Sequence, residues 1–149
     1  MVVKELGHVV LYVRDIERSR HFYRDVLEWK EIKSDTDLAI AAFSSGRTHH
    51  ELLLIEVGAQ AASLPEGRRV GLYHFGLKVG ESDDELREVL EKLGANRTPI
   101  VGATDHGVTH SLYVEDPDGN EIELYIDVQP PIWKDQPEKI FAPPMPLKL

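Results

Sequence analysis

Cysteine is absent from this 149-residue chain, which excludes disulfides and thiolate metal ligands. No apolar run approaches the roughly 20 residues needed to span a bilayer, so a membrane partner is not expected. The first segment, MVVKELGHVV, lacks the charged-then-apolar pattern of a secretory signal, and a cytoplasmic location is the expectation. Positive charge is also in deficit. Seventeen Lys and Arg stand against 26 Asp and Glu, a net charge of −9. Phosphate backbones attract basic surfaces, so this balance argues against nucleic-acid binding. The remaining composition, 42% hydrophobic and 29% charged, is ordinary for a globular protein. The length suits one compact domain or two small halves sharing a core.

The chain reads as two copies of one β-α-β-β-β unit. The first copy opens with a strand near 7–13, where Val9, Leu11 and Val13 alternate with His8, Val10 and Tyr12. Both faces are largely apolar, which predicts burial on both sides. Asp15 is placed to cap a helix carrying Ile16, Ser19, Phe22, Tyr23, Val26 and Leu27 at helical spacing. Strands are predicted around 30–34, 38–43 and 50–57. The second copy has a strand near 73–79 and a capping box at Ser82 and Glu85. Its helix carries Leu86, Val89, Leu90 and Leu93 and is predicted to stop at Gly94. Strands follow near 97–101, 108–115 and 121–127, the last two joined by the turn sequence DPDG. An offset of 66 residues superposes His8 on His74 and Val13 on Val79. Module one is set at 5–58, module two at 72–128, with residues 58–71 connecting them inside a single domain, 1–149. Six of the nine prolines lie in the tail beyond Val128. That content predicts an extended arm over 129–149, with no regular helix, lying over the body or a partner subunit. Trp133 and Phe141 on this arm are candidates for a dimer contact or lid.

Three positions read together as one metal site: His8, His74 and Glu123. Each lies in a short apolar stretch with strand character, and the two His are repeat-related. Two imidazoles and one carboxylate suit a divalent first-row metal and leave coordination positions open. In the last strand Glu121, Glu123, Tyr125 and Asp127 share one face, while Ile122, Leu124 and Ile126 share the other. Three acids on an inward face are costly without a metal or hydrogen-bond partners.

The motifs LGHVVLYV, GLYHFGLKV and YVEDPDGNEIELY, with His on a first strand and Glu on a last, resemble the vicinal oxygen chelate superfamily. That superfamily includes glyoxalase I, bleomycin and fosfomycin resistance proteins and type I extradiol dioxygenases. The resemblance covers roughly residues 5–127. It implies an α+β fold of two βαβββ modules forming a curved mixed sheet around a metal-containing cavity. A homodimer or higher homo-oligomer is expected, and the sequence leaves open whether the two modules of one chain pair with each other or exchange across a dimer.

Within the superfamily the chain is most similar to small one-domain extradiol dioxygenases. The likeness implies an Fe(II) enzyme of aromatic catabolism, acting on a catechol-like diol with dioxygen, with Mn, Zn or Ni as alternative ions. His8, His74 and Glu123 take the ligand positions. His50, in RTHHELLLIEV, takes the proton-moving role, with His49 as its adjacent competitor. His106 and Tyr113 take the positions near the substrate oxygens. Glu51 marks the alternative. Matched by repeat symmetry to Glu123, it becomes a fourth ligand, and a glyoxalase I-like isomerase with Zn or Ni follows. A non-catalytic drug-binding protein is the third reading.

Overall fold

The first strand forms where the first apolar alternation lies, as β1 (Val9–Val13). Asp15 then accepts a hydrogen bond from the Arg18 amide at 2.9 Å and starts α1 (Ile16–Arg20), which runs on as a wider π-helical stretch over His21–Val26. Strands β2 (Ile40–Phe43) and β3 (Leu52–Glu56) follow. The computed structural model describes residues 2–33, 38–128 and 132–149. They fall into two compact units, Met1–Leu64 and Pro65–Leu149.

In the first unit the sheet order is β1-β3-β2, with β1 parallel and β2 antiparallel to β3. Ile16, Ser19, Phe22, Tyr23 and Val26 are all buried, together with Leu11, Val13, Ala41, Phe43, Leu52 and Leu54. Burying each such aliphatic or aromatic side chain stabilises by about 1.5–3 kcal/mol, and the buried positions continue from α1 into the π-helical stretch. Two expectations are corrected. Burial of β1 on both faces fails, because Val10 and Tyr12 are 46% and 70% exposed. Helix α1 packs against β3 and β2, and it covers only the face of Leu11 and Val13. The strand predicted around 30–34 reduces to a single bridge between Glu31 and Phe43. Residue 34 of that prediction lies outside the described residues.

The second unit is built from β4 (His74–Gly80), α2 (Asp83–Ala95), β5 (Ile100–Asp105), β6 (Thr109–Glu115) and β7 (Glu121–Asp127). Ser82 and Glu85 form the capping box: Ser82 accepts from the Glu85 amide, and Glu85 accepts from the Glu81 amide and the Ser82 hydroxyl. Helix α2 passes through Gly94 to Ala95, and the left-handed residue after it is Arg97 (φ +54) rather than a glycine. Leu86 and Leu93, two turns apart, are its fully buried residues. The DPDG turn closes on Asp116, which accepts from the amides of Asp118 and Asn120, with Gly119 at φ +86.

The order of this sheet is β4-β7-β6-β5-β8, where β8 (Met145–Pro146) comes from the tail. β4 runs parallel to β7, and the other neighbours are antiparallel. Ile122, Leu124 and Ile126 are buried with Leu112 and Val114, while Glu121, Glu123, Tyr125 and Asp127 occupy the opposite face. The tail is less extended than its proline content predicts. A four-residue helix, α3 (Ile132–Asp135), and a 3₁₀ turn over Pro137–Phe141 precede β8. Pro137 sits at the first helical position, where its missing N–H leaves no gap in the bonding. Pro146 is tolerated because β8 is an edge strand, pairing through Thr104 with Pro146 and Asp105 with Met145. Residues 129–131 of the predicted arm lie outside the described residues. Among the described residues, no helix is long and apolar enough to cross a membrane.

Candidate metal site

Strand pairing in the second unit puts His74 and Glu123 side by side. The parallel ladder sets His74 opposite Glu121 and Gly76 opposite Glu123. All four point to one face, because side chains alternate along a strand. Gly76 leaves that face open. A Cβ there would lie 3.1 Å from Cε1 of Tyr125 and 3.5 Å from Oε2 of Glu123. The space is taken instead by the Tyr125 ring and by the Glu123 carboxylate, whose Oε2 is 3.4 Å from Nε2 of His74.

The other oxygen of Glu123 is held from β6. The Ser111 hydroxyl donates to Oε1 at 2.6 Å, and the Tyr113 hydroxyl donates to the same atom at 3.2 Å. Ser111 is fully buried. Tyr113 is directly opposite Glu123 in the antiparallel register, and Ser111 is two residues along on the same face. With its one proton given to Glu123, the Tyr113 oxygen accepts from Nε2 of His106 at 2.8 Å. Burial, then the Glu123 charge and hydrogen bond, push the Tyr113 phenol well above its ordinary value, so it stays a donor at neutral pH. The result is a directed chain: His106 to Tyr113 to Glu123, with Oε2 of Glu123 left facing His74.

This pair fits a divalent ion. Nitrogen and oxygen ligands about 2.0–2.2 Å from a metal lie roughly 3 Å apart when they sit at right angles, close to the spacing seen here. Among the described residues the Nδ1 of His74 is buried without a hydrogen-bond partner, 3.4 Å from Oε1 of Glu121. Among the described residues, no three His, Asp or Glu side chains form a metal cluster, and the second unit brings two candidate donors together.

In the first unit three imidazoles gather. The His8 and His50 ring centroids are 4.5 Å apart, those of His49 and His50 4.4 Å. Nδ1 of His49 and Nδ1 of His50 lie 2.6 Å apart. Of the two adjacent His, His50 is the more buried, and its Nε2 has no hydrogen-bond partner among the described residues. Burial, then the neighbouring His49 and His8, lower its pKa, so it is a neutral imidazole at neutral pH.

Glu51 has other partners. Its Oε2 accepts from the amide and hydroxyl of Ser45 at 2.5 and 2.6 Å, and its Oε1 accepts from Nε of Arg47 at 3.0 Å. Burial works against its charge, but these hydrogen bonds and the Arg47 charge outweigh it and hold the carboxyl below its ordinary range. Arg47 also donates to the carbonyls of Leu6 and Gly7, tying down the segment that leads into His8. The ladders revise the repeat alignment as well. Val9 pairs with Leu52 and its repeat-mate Phe75 pairs with Ile122. In this register Leu53 is the counterpart of Glu123, and Glu51 is the counterpart of Glu121.

His110, the other His of the β6 segment, is occupied elsewhere. Its Nδ1 is 2.6 Å from Asp83 at the start of α2, and its Nε2 is 3.6 Å from Asp105. Sequence reasoning missed Ser111 and Gly76. Ser111 carries a usable signal, since it sits two residues before Tyr113 and so shares its face. Gly76 carries one too, at the strand position next to the Glu123 carboxylate.

Comparison with known proteins gives a consistent family. The model of the Glyoxalase/Bleomycin resistance protein/Dioxygenase superfamily matches residues 5–124. The chain is 36% identical over 129 residues to catechol-2,3-dioxygenase of Bacillus subtilis (strain 168), covering 87% of this chain but 44% of that protein. It thus spans about half the length of that dioxygenase. It is 30% identical over 125 residues to lactoylglutathione lyase of Salmonella typhimurium, covering 80% of this chain and 90% of that protein. A crystal structure of a glyoxalase/dioxygenase from Nostoc punctiforme superposes with a TM-score of 0.69 at 21% identity, over 85% of this chain and 92% of that one, and shows the same fold.

Proposed function

This chain belongs to the glyoxalase/bleomycin resistance protein/dioxygenase superfamily, and on that premise we propose that it is a metal-dependent extradiol dioxygenase opening a catechol-like aromatic diol with molecular oxygen. The ligand set of this reading is His8, His74 and Glu123. Bound there, Fe(II), or Mn(II) in its place, supplies Lewis acidity and open positions for diol and oxygen. The observation that carries the reading is the engagement of Glu51. Both of its oxygens are taken by Ser45 and Arg47, and the repeat-mate of Glu123 is the apolar Leu53. That supports three protein ligands rather than four, and three leave room for two substrates.

The chain's own groups then divide the proton work. Neutral His50 is able to take a proton from a diol hydroxyl, because its buried Nε2 makes no hydrogen bond among the described residues. Tyr113 stays protonated and donates, and His106 stands behind it as the next donor. Ser111 holds Glu123 in one orientation throughout.

A glyoxalase I-like isomerase with Zn or Ni is the second reading, favoured by the likeness to the lyase over 90% of that protein's length. It requires Glu51 as a ligand. Glu51→Gln separates the two: under the dioxygenase reading metal stoichiometry stays at one per site, and under the isomerase reading metal binding is lost. The direct test is anaerobic loading with Fe(II), then air and a panel of catechols including 2,3-dihydroxybiphenyl. We expect a yellow ring-opened product and matching oxygen uptake, both lost in His74→Ala. Metal-loaded protein that consumes no catechol, yet isomerises a thiol–aldehyde adduct, overturns the reading.

A further inference from the structure

We propose that Glu121 is a positioning residue for His74: its carboxylate accepts the Nδ1 proton, which presents the lone pair of Nε2 to the metal beside Glu123. The inference rests on the metal reading above and adds a residue to it. In the parallel ladder His74 and Glu121 are register partners, so their side chains share one face on neighbouring strands. The imidazole is flanked at both nitrogens, with Nδ1 3.4 Å from Oε1 of Glu121 and Nε2 3.4 Å from Oε2 of Glu123. Neutral imidazole carries one proton, so it donates at one nitrogen and offers a lone pair at the other. Nδ1 is buried and makes no hydrogen bond among the described residues, and the Glu121 carboxylate 3.4 Å away needs only a small side-chain adjustment to take its proton, which makes Glu121 the group that decides where the proton sits. Ligating imidazoles commonly donate their second N–H to a carboxylate, which fixes ring orientation and raises ligand basicity.

The two units make the point by contrast. Glu51 occupies the same register position beside His8 that Glu121 occupies beside His74. Yet Glu51 is turned to Ser45 and Arg47, whereas Glu121 stays beside the imidazole. Tyr73, which precedes His74 and packs tilted against its ring with centroids 4.6 Å apart, lies on the other side of the carboxylate, and the Glu121 charge raises the Tyr73 phenol above its ordinary value. The carboxylate therefore stands between one phenol and one imidazole.

The test uses the full chain and Co(II) as the probe, read by titration calorimetry and by the visible absorption of the bound ion, with no turnover needed. In Glu121→Ala we expect the dissociation constant for Co(II) to rise roughly 10- to 100-fold. The absorption bands of the bound ion should change, while the melting temperature of the metal-free protein stays near that of the parent. Glu121→Gln keeps an acceptor oxygen and should recover part of the loss. Equal affinity and an unchanged spectrum in all three proteins overturn the role of Glu121 while leaving the metal reading intact. Failure of the parent protein to bind Co(II) at all overturns the metal reading and this inference with it. A fall in metal-free melting temperature matching the whole loss of affinity, with no spectral change, assigns Glu121 a structural role and also refutes the proposal.

Discussion

Removing the Ser111 hydroxyl should weaken the metal site more than it weakens the fold. Ser111→Ala deletes one of two donors to Oε1 of Glu123, the one at 2.6 Å, and leaves the one from Tyr113 at 3.2 Å. A hydrogen bond to a charged group contributes about 1.5–3 kcal/mol, and because the second donor remains we expect the lower end of that range. At 1.4 kcal/mol per factor of ten, metal affinity should fall roughly tenfold. Ser111 is fully buried on a central strand, so the smaller methyl is accommodated without a new unpaired group on the protein side. The assay is metal titration of Ser111→Ala, Tyr113→Phe and the double variant. Both donors share one acceptor atom, so the double variant should lose more than the sum of the single losses, since each single variant keeps one donor. Unchanged affinity in Ser111→Ala, with the double variant equal to Tyr113→Phe, refutes the claim that Ser111 orients Glu123.

Gly76→Ala places a Cβ 3.1 Å from the Tyr125 ring and 3.5 Å from Oε2 of Glu123, so the ring must move. We expect weaker metal binding and a cost of about 1–3 kcal/mol in urea unfolding, as for overpacking elsewhere; a fully neutral variant would show that the glycine is not needed. His50 has its pKa lowered from an ordinary 6.5 by burial and by His49 and His8. Its neutral form is fully present above pH 6.5 and is lost as pH falls through the lower folded value, so both turnover and the stability contribution of His50 should hold near neutrality and decline on the acid side. His50→Gln should remove that acid limb from the pH–rate profile, and a limb that persists assigns it to another group. His110→Ala breaks the contact with Asp83 at the start of α2. We expect a lower melting temperature with metal affinity unchanged, and a selective loss of metal binding would contradict the separation of His110 from the site.

Much of the fold follows from local patterning. The period-2 alternation of NEIELYID is satisfied by burial of Ile122, Leu124 and Ile126, and the capping signals at Asp15 and Ser82 start the two helices where they stand. Such features depend on residues a few positions apart, and so a linear reading finds them. The exposed face of β1 was not readable, because Val10 and Tyr12 are as apolar as a buried strand demands; which face α1 covers is decided only when the helix packs. The tail escaped for a related reason. Its prolines rule out long helices, but short turns that begin at Pro137 and a two-residue edge pairing remain open to it.

The sequence by itself determined the repeat, the family and the chemical types of the candidate ligands, since these reside in side-chain identity and spacing. Only tertiary structure decided which groups stand together. The parallel register of β4 on β7 brings His74 to Glu123 across 49 positions of chain that no periodicity connects, and the register of β1 on β3 moves the repeat-mate of Glu123 from Glu51 to Leu53. A shift of two positions along a strand keeps the same face and the same hydrophobic pattern, so alternation cannot distinguish the two alignments; the backbone hydrogen bonds between neighbouring strands can.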